Sequence, residues 1–501
     1  MASSLSRLLA AAAVAALAAC SSASSPPAPA PGNITGIGAS GLMSRFVGVG
    51  DSLTAGQQSG ALLGVTIAPN PLGAASLFPV VPNTQGHGWY ARVWSQANGG
   101  ADPLDPAKSP LPLMKPPGLG QILLPATAGG VTSIVASVCG QEGAAYSYST
   151  ALGLRLNPTA TPLDVAVPGQ LTHEALYSYQ PTSACTDPAN AALGPLAGLA
   201  SALSSESLNI YPVLANFPAG TTQLQAAASL RPTVATIWLG SNDLLKFAVG
   251  NGGFPPTDPA AFGVDITKAI ATLQGTGAKV AVLNLFNVLQ APYFTPVAAI
   301  PAIITQTLIG NGVPAATAAA QGAALGAQVQ GFLQATYGLG TQGYLTLTGT
   351  GKLQGALKAI LGGAPALTAL SSPAATLVAG DFVSDAVAVK AQQLNDAYNA
   401  AIASASASTG AALIDVRAFF LTYTSANAQY YIPLSGNPKC CALQYGGGLT
   451  SLDGLHPSDT GYALIANAVI AKLNASYSAG IAPLTDAQIQ AINATDLYSP
   501  H

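Results

Sequence analysis

Five short aliphatic runs, spread over most of the chain, set the strongest limit on how it can fold. They are Arg45 to Gly50 (RFVGVG), Leu163 to Val167 (LDVAV), Thr233 to Leu239 (TVATIWL), Lys279 to Leu285 (KVAVLNL) and Ala411 to Val416 (AALIDV). Most lack the in-out alternation of a half-exposed strand, so they suit strands buried on both faces of a parallel sheet. Parallel neighbours need crossover connections, usually helices. Helical patterns fall at Asp265 to Leu273 and Ser384 to Ser406, ahead of the fourth and fifth runs, and at Ser458 to Leu473. The expected fold is α/β: a three-layer α/β/α sandwich around a central five-stranded parallel sheet, with long insertions.

The insertions are the Gly, Pro, Ala and Ser-rich intervals Gln57 to Pro162, Tyr177 to Leu230, Gln290 to Gly380 and Phe419 to Leu452. Loops of such length are functional or disordered more often than they are plain connections. The third contains the helix-like run Ala315 to Leu333 and reads either as a small helical cap or as a surface excursion. Its Ala and Gly repetition is compositional, without a repeat period. A short terminal helix is expected over Leu484 to Ile492.

At the N-terminus, Arg7 precedes the apolar run Leu8 to Ala19, which is too short to span a bilayer and has the anatomy of a secretory signal. Its end, Leu17-Ala18-Ala19-Cys20, resembles the cleavage box of bacterial lipoproteins, in which the cysteine carries the lipid. An ordinary signal with an incidental Cys20 is the alternative. Ser21 to Gly32 (SSASSPPAPAPG) then reads as a tether between anchor and domain. The organisation expected is a signal peptide at 1–19, a lipid-anchored linker at 20–40, one domain at 41–480 whose largest insertion is about 290–380, and a tail at 481–501. The lipoprotein resemblance implies export and membrane attachment through Cys20, at the outer membrane if the host is Gram-negative, as Ser21 suits that sorting.

Only 7% of residues are charged and the net charge is −3, which leaves no electrostatic footprint for nucleic acid and no polybasic membrane patch. Four further cysteines, Cys139, Cys185, Cys440 and Cys441, form an even set in a chain read as exported, and so suggest disulfides. A bond between the adjacent Cys440 and Cys441 requires a strained ring. Each is therefore expected to reach one of Cys139 and Cys185, in either order. Their spacing has no zinc-ligand pattern.

The first run leads directly into Gly50-Asp51-Ser52-Leu53. A serine at a strand-to-helix turn projects its hydroxyl at the carboxyl edge of a parallel sheet, where α/β enzymes place ligands. Alone, such a serine is more often an N-cap. Serine chemistry needs a base, and the histidines are His87, His173, His456 and His501. His87 lies in a Gly-rich stretch with no acid nearby in sequence, and His501 is terminal. His173 follows Gly169 at a helix start, and can sit near the site without serving as base. His456 has Asp453 three residues before it, in Asp453-Gly454-Leu455-His456-Pro457, close enough across a tight turn to hold one imidazole nitrogen while the other faces Ser52. Pro457 suits the first turn of the helix that follows. A loop Asp and His capping that helix is the bland alternative. The third run ends in Gly240-Ser241-Asn242-Asp243 and the second in Pro168-Gly169-Gln170, an amide side chain and a glycine at the same sheet edge, although Asn and Gly are also ordinary turn residues.

Together these segments resemble the conserved blocks of the SGNH/GDSL hydrolase family, whose sheet is flavodoxin-like. The resemblance implies that Ser52 is nucleophile and first oxyanion donor, Gly169 and Asn242 are the second and third donors, and Asp453 and His456 complete a triad. Asp51 and Asp243 read as loop-stabilising residues. The resemblance further implies a carboxylesterase or lipase-like serine hydrolase acting on a small-molecule or lipid ester, with no metal or organic cofactor. A polysaccharide O-deacetylase and a non-catalytic binding lipoprotein on the same scaffold are the alternatives. The insertions, nearly free of charge, point to esters with apolar rather than highly charged parts.

Overall fold

The computed structural model describes residues 32–38, 41–76, 79–116, 118–125, 131–135, 155–177, 214, 216–218, 221–423 and 448–496. The segment 1–19 expected as a signal peptide, most of the expected linker with Cys20, the cysteines Cys139, Cys185, Cys440 and Cys441, and His501 lie outside the described residues. Much of the second and fourth insertions does too.

From the N-terminal side, β1 (Phe46–Gly50) turns at once into the four-residue α1 (Ser52–Ala55), followed by α2 (Trp89–Ala97), α3 (Thr172–Tyr177) and α4 (Gln223–Ser229). Then come β2 (Val234–Trp238), α5 (Ser241–Val249), α6 (Pro259–Gln274) and β3 (Lys279–Leu283). The third insertion supplies α7 (Ile300–Gly310), α8 (Ala315–Tyr337) and α9 (Leu347–Leu361). The chain returns through α10 (Asp385–Thr409) to β4 (Ala412–Ile414), and ends in α11 (Asp459–Tyr477) and α12 (Asp486–Thr495). Helix α6 starts earlier than its apolar pattern, because Asp258 caps it by accepting from Ala260 and Ala261 N–H and Pro259 occupies the first turn.

The central sheet has four strands, not five, in the order β1-β2-β3-β4, all parallel. The run Leu163 to Val167 does lie along β1. Gly48 N–H donates to Leu163 at 3.1 Å, and Val165 and Val167 donate to Gly48 and Gly50 at 3.0 Å each. It falls short of a regular strand because Asp164 sits in its middle. That side chain turns back to accept from Ala166 N–H at 3.0 Å, while Asp164 N–H donates outward to Pro110. With this edge counted, the strand order reverses at β1, and a crevice opens at the carboxyl ends on either side of the reversal.

The strands are apolar on both faces because helices cover both. All five residues of β1 and of β2 are buried. Helices α3, α4, α6 and α10 pack as one group, and α2 packs with α11 as another. In and just after the third insertion, the short strands Phe294–Pro296, Tyr344–Thr346 and Phe382–Val383 pair antiparallel, and α7, α8 and α9 enclose a separate apolar cluster including Ile300, Ile304, Val329, Leu333 and Leu353. Among the described residues no helix is long and apolar enough to cross a membrane.

Helices α7 and α8 carry no charged side chain, so their contact relies on close approach and dispersion. A Cβ added at Gly326 would lie 2.7 Å from Pro301 Cα, and one at Gly322 would lie 2.1 Å from Thr305 Oγ1. Gly326→Val is therefore expected to cost roughly 1–3 kcal/mol by overpacking. Gly331→Ala, on the same helix with open space around it, should be neutral or stabilising by about 0.5–1 kcal/mol. Denaturant melts of the two variants test the contrast, and equal effects would contradict it.

Candidate active site

Three strand ends and one loop build the site. Strand β1 ends in Gly50, where a Cβ would meet Thr54 Oγ1 at 2.2 Å and Trp238 O at 2.9 Å, so only glycine lets the chain turn this sharply against β2. Asp51 then caps α1, its Oδ1 accepting from Leu53 N–H at 3.0 Å. Ser52 follows as the first helical residue.

From the far end of the sequence comes the loop before α11. Its base is closed by Ser451 N–H to His456 O at 2.8 Å and by the Thr450–Pro457 bridge. Pro457 is thus part of that closure rather than of the helix, whose cap is Ser458, accepting from Gly461 N–H. At the tip, Gly454 holds φ +70°, and a Cβ there would sit 2.8 Å from Tyr293 N. The loop sets His456 Nε2 2.8 Å from Ser52 Oγ, and His456 Nδ1 2.7 Å from Asp453 Oδ2.

Asp453 is buried, and its carboxylate is saturated with donors. Oδ2 also accepts from Gly60 N–H at 2.7 Å, while Oδ1 accepts from Leu455 N–H and His456 N–H at 2.9 Å and from Ser451 Oγ at 3.2 Å. Burial alone would raise this carboxyl, but the facing imidazole and the N–H donors outweigh it and hold it below the usual carboxylate value. It is therefore an anion at neutral pH. Gly60 was not legible as a contributor, because its partner lies 393 residues away and no local pattern links them.

The other two strand ends bring in the amide groups. Gly169, at φ +81°, and Asn242, in the first turn of α5, line the same pocket as Ser52 and His456. The N–H groups of Ser52 and Gly169 have no acceptor among the described residues. The Asn242 Nδ2 donates to Asp51 Oδ2 at 3.1 Å and to Gln170 O at 3.2 Å, so both its hydrogens are already engaged. Asp243 ties neighbouring loops together by accepting from Thr172 N–H and Oγ1 and from Thr257 Oγ1. Gln223 does the same beneath, donating to Gly50 O and Val165 O.

Each described histidine faces an aspartate. His87, with no acid near it in sequence, lies 2.8 Å from Asp459, and His173 lies 2.9 Å from Asp265 beside the Tyr177 ring. Neither lines the pocket, and only His456 also meets a serine hydroxyl. Among the described residues there is no group of three His, Cys, Asp or Glu that could hold a metal ion. The sequence reading missed the apolar wall of the pocket, made by Leu53, Leu245, Phe286, Val288 and Leu455.

A protein-family model described as GDSL-like lipase/acylhydrolase matches residues 165–469, a span that includes Gly169, Asn242, Asp453 and His456 and begins after Ser52. No curated protein matches the chain.

Burial pushes the Asp51 carboxyl up to about 7, with Leu53 N–H and His456 opposing and Asp243 adding. The folded state then holds a proton that the unfolded chain releases near the ordinary value of 3.8, so this group makes stability fall as pH rises from there to about 7. Asp51→Asn removes that dependence. Thermal melts at pH 5 and pH 8 should show the variant gaining on wild type more at pH 8. An equal offset at both would mean that Asp51 does not titrate in this window.

Proposed function

The chain belongs to the GDSL-like lipase/acylhydrolase family, and we propose that it is a serine ester hydrolase in which Ser52 is the nucleophile, His456 its base and Asp453 the acid that orients the base. The family supports hydrolysis of esters in general. The observation that carries the finer reading is the unbroken line from Asp453 Oδ2 through His456 to Ser52 Oγ, at 2.7 and 2.8 Å.

In this reading His456 Nε2 takes the Ser52 proton as Oγ attacks the ester carbonyl. The Asp453 anion fixes the Nδ1–H tautomer and stabilises the imidazolium that forms. Negative charge develops on the carbonyl oxygen, and the N–H groups of Ser52 and Gly169, without an acceptor among the described residues, are suited to receive it. For Asn242 to join them, one of its bonds, to Asp51 or to Gln170, has to be shared or exchanged. His456 then returns the proton to the departing alcohol, and a water activated by the same imidazole releases the acid from Ser52. The setting we propose is the bacterial cell envelope, with the domain tethered through lipid on Cys20; the Leu17 to Cys20 segment and the tether after it support this.

Ser52→Ala and His456→Ala should each abolish most turnover of p-nitrophenyl esters and, for Ser52→Ala, labelling by a fluorophosphonate probe, with the fold intact. Asp453→Asn should cost several orders of magnitude, since it loses the tautomer control. Asn242→Ala should raise the barrier by about 2.7–4 kcal/mol if it serves as an oxyanion donor. Undiminished hydrolysis by Ser52→Ala would overturn the assignment.

A further inference from the structure

We infer that the pocket beside Ser52 is an acyl-length gauge, which admits neutral esters of short apolar acids, about two to four carbons, and that Phe286 and Val288 form its stop. This deepens the function proposed above and rests on it.

Three observations lead there. The first is size: the cavity measures about 60 Å3. At roughly 10–15 Å3 for each water-sized sphere, that is room for on the order of four to six heavy atoms. An acetyl to butyryl group fills that space.

The second is chemistry. Beside the polar groups that do the reaction, the walls are Leu53, Leu245, Phe286, Val288 and Leu455. Among the described residues, the charged or chargeable groups that line it are Asp51, Asp453 and His456, with no lysine or arginine. An anionic acyl group would meet carboxylates and find no cation to pair with, whereas methylenes gain burial.

The third is stiffness, which decides whether a small cavity is a limit or merely a resting shape. Phe286 and Val288 sit on the segment leaving β3, and a ladder of amide side chains from α10 holds its backbone. Asn399 accepts from Leu285 N–H at 2.7 Å and donates to Leu285 O at 2.8 Å, and Asn395 donates to Phe286 O at 3.0 Å. One turn earlier on the helix, Gln392 accepts from the Asn287 side chain. Asn395 and Asn399 are buried, so releasing the segment would strand these polar groups out of water. The Phe286 ring is backed by Phe420, with centroids 5.3 Å apart. The wall therefore has little means of yielding to a longer chain.

The test is kcat/KM of the purified protein on p-nitrophenyl acetate, butyrate, octanoate and laurate, with Phe286→Ala and Val288→Ala alongside. Wild type should favour acetate or butyrate over octanoate by at least 100-fold, and each variant should shrink that ratio at least tenfold. If Phe286→Ala does not fold, Phe286→Leu and the wild-type profile still decide. A wild-type rate that is as high on octanoate as on butyrate overturns the gauge and leaves the serine hydrolase standing. So does a strong short-chain preference that neither variant relaxes. If no ester is turned over above the Ser52→Ala background, the function itself fails and the gauge with it.

Discussion

One buried carboxylate holds the site together. Asp453 lies on a loop near the end of the chain, and its oxygens gather the N–H of Gly60 from the start of the chain, two N–H groups of its own loop, the Ser451 hydroxyl and the His456 imidazole. A lone carboxylate in such a place would take up a proton and cease to act as an anion. Here the donors outweigh the cost of burial, and the same bonds that keep the charge also fix where the imidazole points. Geometry and ionisation are thus one property. The segment after α1 and the loop before α11 cannot shift against each other without unpairing that charge.

What the sequence disclosed follows the range over which each signal acts. The strands were legible because burial on both faces demands aliphatic residues in a row, and the loop of Asp453 and His456 because its geometry is local to four residues. Leu163 to Val167 read as a full strand because its composition is a strand's; the inward turn of Asp164 that breaks its regularity is not visible in composition. Helix α6 was placed late because apolar periodicity starts after the cap, although Asp258-Pro259 marks the true start. The three short strands of the third insertion escaped notice, since pieces of two or three residues have no periodicity. The pairing of His87 with Asp459 and of Gly60 with Asp453 could not be read at all, because no residue type announces a partner several hundred positions away.

The third insertion is rooted in the site rather than appended to it. Tyr293 N–H donates to Gly454 O at 2.9 Å, and the glycine's missing Cβ is what lets the two backbones meet. The buried Tyr293 phenol is pushed up to about 12, mainly by burial, with Thr346 on the insertion's small sheet opposing. One residue therefore touches both the loop that presents His456 and the sheet that organises the insertion. The apolar wall of the pocket leaves β3 just ahead of it. Shape of pocket and placement of base are set within a few residues of one another.

The separation of 404 positions from Ser52 to His456 also has a meaning in time. A chain leaves the ribosome N-terminus first, at about 5–20 residues per second, so the serine is made early and the imidazole late. Closing so long a loop adds little free energy once the whole chain exists, about 0.6 kcal/mol for each doubling of length. Until His456 is made, no intermediate length contains both residues. The helix that follows His456, capped by Ser458, is held further by Asp496, which accepts from Thr460 N–H and Oγ1. In the proposed mechanism, every nascent fragment that stops short of His456 carries the serine without its base, and cannot attack an ester while it is still being made.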